Sequence, residues 1–256
     1  GLPIAEESVL LVGIDSLHSD IGDLNHILYS IAAVDLKNLE QHAGPRTAFD
    51  FRGRLAGLLT DFVVDGNLRG DFGNLNLDLL INSKGHHDGV LLSGMANISR
   101  LDLGMLTGIE TLGTCSLYTK AAATIKRGGF RNLHTHIDTL SLAYLEFNNY
   151  VFRDFKLLGE FQNGVFDGRM SASDPNLHFL FQGRADLSGS AKATANFFAN
   201  IAYADLHRLN LYKSDSLAIV SGLVQADFSH INNKGDIDGT IRATDLSLQN
   251  SSGTHT

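Results

Sequence analysis

From about Thr47 onward, apolar residues return at every second position, run after run. A two-residue period sends alternate side chains to opposite faces of an extended strand, and it places no continuous stripe along a helix. Phe49, Phe51 and Leu55 share one face, followed by Phe62, Val64, Leu68 and Phe72, then Leu75, Leu77, Leu79 and Ile81, with mostly polar or glycine residues between. Later runs repeat the pattern: Leu92, Ala96 and Ile98; Leu117, Ala121, Ala123 and Ile125, with Lys120 and Lys126 opposite; Leu157 and Phe161; Phe166, Met170 and Ala172. It continues through Leu177, Phe179, Phe181, Ala185 and Leu187, then Val224, Ala226 and Phe228, then Ile237, Ile241 and Ala243. Each run predicts a strand with one buried and one solvated face.

Turn signals separate the runs: Asp65-Gly66, Lys84 to Gly89, Arg127-Gly128-Gly129, Asn163-Gly164, Asp174-Pro175-Asn176 and Asn232 to Gly235. Their spacing predicts an antiparallel meander of on the order of a dozen or more strands. The presence of 26 Gly and only 3 Pro fits many tight turns, and 43% hydrophobic with 19% charged residues describes a chain that folds around a core. The whole segment, 1–256, reads as one β-rich piece, less regular and partly helical over 1–46 and repetitive over 47–256.

Helical spacing occurs around Asp23 to Glu40, where Leu24, Ile27, Leu28 and Ile31 share a face; Val34, Asp35 and Leu36 then follow without a stop signal, so the helix is expected to end near Tyr29. Asp-Leu-x-x-Leu recurs at Asp35 to Leu39, Asp102 to Leu106 and Asp205 to Leu209, and predicts short helical turns, since Asp suits an N-cap and the two leucines would share a face. Phe-x-Gly-Arg recurs at Phe51, Phe166 and Phe181. The irregular spacing of both motifs speaks against a propeller and for one long sheet of similar strand pairs.

A net charge of -8 leaves no basic footprint, so nucleic acid and anionic membrane surfaces are poor candidate partners, and any lipid contact would have to be apolar. Cys115 is the lone cysteine, which excludes a disulfide framework and a cysteine metal site. No run of about 18 apolar residues spans a bilayer. Gly1 has the look of a cloning scar, and the chain reads as an excised segment whose anchoring parts lie elsewhere.

Catalytic and metal chemistry find little support. His134, His136 and Asp138 alternate and could present two imidazoles and a carboxylate, yet Leu133 and Ile137 take the buried register and leave them on the solvated face. His86 and His87 lie in a polar turn, Glu6 and Glu7 near a terminus. Ser16, His18 and Asp20 are triad residue types without a nucleophile elbow. Gly66, Gly70 and Gly73 lack the lysine of a phosphate loop and read as bends or bulges. No cofactor, metal or enzymatic activity is expected; a carbohydrate-active solenoid would need convergent carboxylates or stacked aromatics, and there is no Trp.

The abundance of apolar strand face is the most informative feature. A sandwich would bury it, a barrel would enclose it, and an open U-shaped sheet would leave a channel for acyl chains; periodicity alone leaves the three open. The stretches Phe51 to Gly57, Gly66 to Leu75, Asp174 to Leu187 and Ala202 to Leu211 resemble the glycine-punctuated strands of TamB-like proteins of the AsmA superfamily from Bacteroidetes. That resemblance implies an all-β fold, a long antiparallel meander folded into an elongated U-shaped (β-taco) groove, with one or two short helices near the N-terminus. It implies a periplasmic segment whose parent is anchored in the inner membrane, takes part in phospholipid transport and outer-membrane biogenesis, and works with an Omp85-type outer-membrane barrel. The family has no catalytic residues to carry over. The inward-facing residues Phe62, Val64, Leu68, Leu77, Leu79, Phe179 and Phe181 are then the expected lining for phospholipid acyl chains. The alternative is a structural or interaction β-sandwich of a cell-envelope protein with no lipid ligand.

Overall fold

Alternating sequence becomes alternating burial in strands such as 73–82 and 177–186 of the computed structural model, which describes residues 9–32, 37–58, 60–83, 89–126, 134–186, 194–231 and 237–255. The protein is all-β, a long antiparallel meander with short helices. Among the described residues there are fourteen strands and three helices, and the chain divides into two units, Gly1–His136 and Ile137–Thr256.

The first unit holds β1 (Val9–Asp20), α1 (Ile21–Ala32), α2 (Lys37–Ala43), β2 (Ala48–Leu58), β3 (Asp61–Gly70), β4 (Gly73–Asn82), β5 (Gly89–Asp102), α3 (Leu103–Thr107) and β6 (Leu112–Lys126). Each strand pairs antiparallel with its sequence neighbours, from β1 to β6. β7 (His134–Phe147) starts at the boundary. The second unit continues with β8 (Tyr150–Gln162), β9 (Val165–Asp174), β10 (Leu177–Asp186), β11 (Ala195–Asp205), β12 (Ala218–Ile231), β13 (Ile237–Asn250) and β14 (Gly253–His255). Here too the strands pair in chain order, β8 through β14. The hairpin tips Asn148-Asn149 and Asn163-Gly164 have positive φ at both residues, the mirror-image turn whose twist matches paired strands.

The turn expectations meet different outcomes. Asn163-Gly164 and Pro175-Asn176 are turns, whereas Asp65 and Gly66 lie in mid-strand, with Gly66 opposite Gly53 on β2 and Leu77 on β4. The chain reverses instead at Asp71-Phe72. Gly66 is explained by a neighbour: a Cβ there would stand 2.7 Å from Cζ of Phe51 and 2.5 Å from the Arg52 carbonyl. The register through Gly66 is continuous, so it is neither a bend signal nor a bulge. The turns expected at Arg127 to Gly129 and Asn232 to Gly235, and nearly all of Lys84 to Gly89, lie outside the described residues.

Around the N-terminus, one expected helix is two. Asp20 caps α1, its carboxylate accepting from the Asp23 amide at 2.9 Å, and Asn25 Nδ2 donates to Glu40 of α2 at 2.7 Å. Both helices pack on a buried cluster of Ile21, Phe49, Phe51 and Phe72, joined by Leu24, Leu39 and Ala43, and by Met105 and Leu106 of α3. β1, a strand in a region expected to be less regular, brings Ile14 to the same cluster.

The Asp-Leu-x-x-Leu motif works as its chemistry suggests, twice. Asp102 caps α3 by accepting from the Met105 amide at 2.8 Å, and Asp205 accepts from the Arg208 amide at 3.0 Å, with Leu209 fully buried beneath that turn. In both places the strand ahead carries a register shift, between Ile98 and Leu101 and between Ile201 and Ala204. In both, the Asp amide donates to a carbonyl of the preceding hairpin tip, Phe72 at 2.8 Å and Asn176 at 2.9 Å. Each unit is thus built on the same local plan, a closer repetition than the spacing of the motifs suggests.

Candidate functional site

In the first unit, one sheet face carries side-by-side apolar rows. Phe51, Leu68, Leu75, Ile98 and Leu117 face one another across five successive strands. Leu55, Val64 and Leu79 form the next row but one, and Phe62, Ile81, Leu92 and Ala123 a further one. Between them Leu77 stands opposite Gly66 and Ala96. All five expected lining residues of this unit, Phe62, Val64, Leu68, Leu77 and Leu79, lie on this face and are half-buried. Neighbours pointing the other way, such as Asp50, Arg52, Arg54, Asn76 and Asp78, are exposed. Arg54 meets Asp65 across the strands at 3.0 Å on that outer face, one of the solvated pairs that contribute little to stability.

The helices divide the face. Val64, Leu68 and Leu75 pack against the buried cluster under α1, α2 and α3, whereas Phe62, Leu77 and Leu79 are not among its packing partners. The rows near the Phe72 hairpin are therefore consumed by the protein's own core. The rows towards the opposite strand ends keep apolar surface.

The second unit presents the same arrangement. Leu157, Met170, Phe181, Ala199, Val224 and Ala243 stand in one row, and Phe155, Ala172, Phe179 and Ile201 in the adjacent one. The expected residues Phe179 and Phe181 are half-buried on β10, alternating with exposed His178, Leu180 and Gln182. Phe181 lies between Phe166 and Phe197, ring centroids 5.9 and 5.1 Å away, and Phe179 meets Phe155 at 6.0 Å. Such pairs add about 0.5–1.5 kcal/mol beyond their area. Within each unit, strands make their main contacts with sequence-neighbour strands, so each apolar face is a single sheet layer. Covering such a face with hydrocarbon is favourable by about 0.8 kcal/mol per methylene removed from water.

Polar chemistry that sequence reasoning missed sits at a strand end of the second unit. Asp174 is fully buried and takes donors from Tyr150 Oη at 2.5 Å, the Arg153 amide at 2.8 Å and the Asn176 amide at 2.8 Å. Asn176 Nδ2 donates to the Tyr150 oxygen at 3.0 Å. Burial, and then the bond to Asp174, push the Tyr150 hydroxyl above its ordinary range. The Asp-Pro-Asn turn was visible in sequence; the partner Tyr150 is on another strand. With its hydrogen bonds met from three sides, this cluster is a strand-end clamp.

The residues considered for metal or catalysis do not converge. His134, His136 and Asp138 are exposed on the polar side of β7, as their register implies. His18 pairs with Asp50 across β1 and β2 at 3.1 Å on the open surface. His86, His87, Glu6 and Glu7 lie outside the described residues. Among the described residues there is no group of three His, Cys, Asp or Glu suited to a metal ion. Cys115 is buried, which pushes its thiol up and away from reactivity. No helix among the described residues is long and apolar enough to cross a membrane.

No protein-family model matches the sequence, and neither a curated protein nor a solved structure matches the chain.

Proposed function

We propose that the chain is a groove-forming segment of a TamB-like envelope protein, whose apolar sheet faces take the acyl chains of phospholipids. The observation that carries this reading is the set of aligned, half-buried apolar rows on a single sheet layer in each unit, backed by a more exposed face that mixes polar residues with apolar ones such as Val63, Leu80 and Leu180. A closed sandwich would spend those rows against a second sheet; here the strands of each unit contact sequence neighbours. Phe62, Leu77, Leu79, Phe179 and Phe181 are the lining residues, with Val64 and Leu68 at the margin where the helical cap begins. The role is non-catalytic: binding follows from burial of hydrocarbon, and no reacting group is needed.

The resemblance extends the proposal to the parent protein: a periplasmic location, an inner-membrane anchor outside this segment, and an Omp85-type barrel as partner in outer-membrane biogenesis. A structural β-module without lipid is the second reading, favoured by the packing of the half-buried Val64, Leu68 and Leu75 against the protein's own core. Extraction of the purified chain followed by lipid mass spectrometry separates the two. Co-purifying phospholipid supports the groove, and its absence from a folded preparation favours the structural module.

A further inference from the structure

We infer that Met95 is an oxidation site, where peroxides convert the thioether to a sulfoxide whose oxygen is received by the Tyr118 hydroxyl. The chain has three methionines, and two of them serve packing. Met105 lies against the buried cluster of Ile21, Phe49, Phe51 and Phe72. Met170 is half-buried in the apolar row of the second unit, between Leu157 on β8 and Phe181 on β10. Met95 stands apart from both. It projects from β5 on the outer face of the first unit, beside Asp78 on β4 and Lys120 on β6, and is 40% exposed.

A cross-strand contact holds the sulfur in place: Tyr118 Oη on β6 donates to Met95 Sδ at 3.3 Å. A thioether is a weak acceptor, so the hydroxyl has a poor partner there. The hydroxyl engages one lone pair of the sulfur and leaves the other to an oxidant arriving from solvent. The reaction is an oxygen transfer. The free lone pair attacks one oxygen of hydrogen peroxide, and the O–O bond breaks as the S–O bond forms. The proton on the transferred oxygen passes to the leaving hydroxide, which departs as water. Sulfur is oxidised by two electrons and the peroxide is reduced by two.

The product suits this position and neither of the others. A sulfoxide oxygen is a stronger acceptor than a thioether sulfur, the Tyr118 hydroxyl already stands within reach of it, and the new polar group stays on the solvated face. At Met105 or Met170 the same oxygen would enter an apolar layer, where an added polar group disrupts packing. Partial burial also slows oxidant access to those two sulfurs, so exposure and tolerance select the same residue.

Graded hydrogen peroxide on the folded full chain tests it, read by peptide mass spectrometry and by urea unfolding, with Tyr118→Phe and Met95→Leu as variants. The Met95 peptide is expected to gain one oxygen at doses that leave the Met105 and Met170 peptides unmodified until urea unfolds the chain. At those doses oxidation should shift the unfolding midpoint more favourably in wild type than in Tyr118→Phe, and Met95→Leu should not respond. Oxidation of Met105 or Met170 in the folded chain at the same dose as Met95 overturns Met95 as the site, as does a Met95→Leu midpoint that still moves. Equal shifts in wild type and Tyr118→Phe overturn the role of the hydroxyl.

Discussion

The ring of Phe51 on β2 occupies the space where a side chain at Gly66 on β3 would stand, with Cζ 2.7 Å from the position of a Cβ. The ring also lies over Gly53, where the corresponding distance is 2.9 Å, so one phenylalanine covers two glycines that face each other across the strands. Phe166 does the same for Gly168 at 2.9 Å. In these two copies of Phe-x-Gly-Arg the ring packs over the glycine of its own motif; in the third, a Cβ at Gly183 would instead meet Phe197 on β11, with its Cβ 3.0 Å away. Gly66→Ala is expected to cost about 1–3 kcal/mol through overpacking. In a double-mutant cycle with Phe51→Ala, measured by urea unfolding, the two losses should be less than additive. Simple additivity would show that ring and glycine are not coupled.

Tyr150 and Asp174 form the buried polar contact most open to test. Removing the hydroxyl in Tyr150→Phe takes one donor from a carboxylate that is fully buried, and should cost about 1–3 kcal/mol. The pH dependence has a defined sign. Because burial and Asp174 raise the hydroxyl pKa in the folded state, its contribution is fully present below the unfolded value of about 10 and is lost as pH climbs through the folded value. Denaturation midpoints on either side of about pH 10 should therefore fall more for wild type than for Tyr150→Phe. Equal falls would contradict the assignment.

The two capped turns should behave as a pair. Asp102→Ala and Asp205→Ala each remove the acceptor of a backbone amide and should cost about 1 kcal/mol, with Asp205 the larger because it is buried and also meets Arg208 at 3.3 Å. Asp205→Asn keeps a side-chain oxygen for the amide and should recover part of the loss. Hydrogen exchange at the Met105 and Arg208 amides checks that the damage is local; unchanged protection there would argue against capping.

Which side chains share the apolar face was legible in sequence, since a period of two has one meaning in a strand and the lining residues Phe62, Leu77, Leu79, Phe179 and Phe181 follow from it. Asp at the head of Asp-Leu-x-x-Leu was equally readable, because capping is a contact three residues away. What sequence hid was non-local. Asp65-Gly66 carries the strongest local turn chemistry on β3, yet the glycine answers to a ring on β2. Asp174 depends on Tyr150, twenty-four residues earlier. The run Val9 to Val12 is continuously apolar and so lacked the alternation that marks β2 onward, although it pairs with Leu55 to Leu58 as a strand. That Val64 and Leu68 are shared with a helical cap follows from how α1, α2 and α3 pack, which no strand periodicity reports.

The central claim, that the apolar face takes acyl chains, is tested most directly by site-specific photo-crosslinking in cells. Probes at Leu77 and Phe179 report on the apolar face, and probes at Asp78 and Leu180, exposed on the opposite face of the same strands, serve as controls. The account predicts phospholipid adducts at Leu77 and Phe179 and none at Asp78 or Leu180. A folded protein with no adduct at the first two positions, or with equal labelling on both faces, would contradict it.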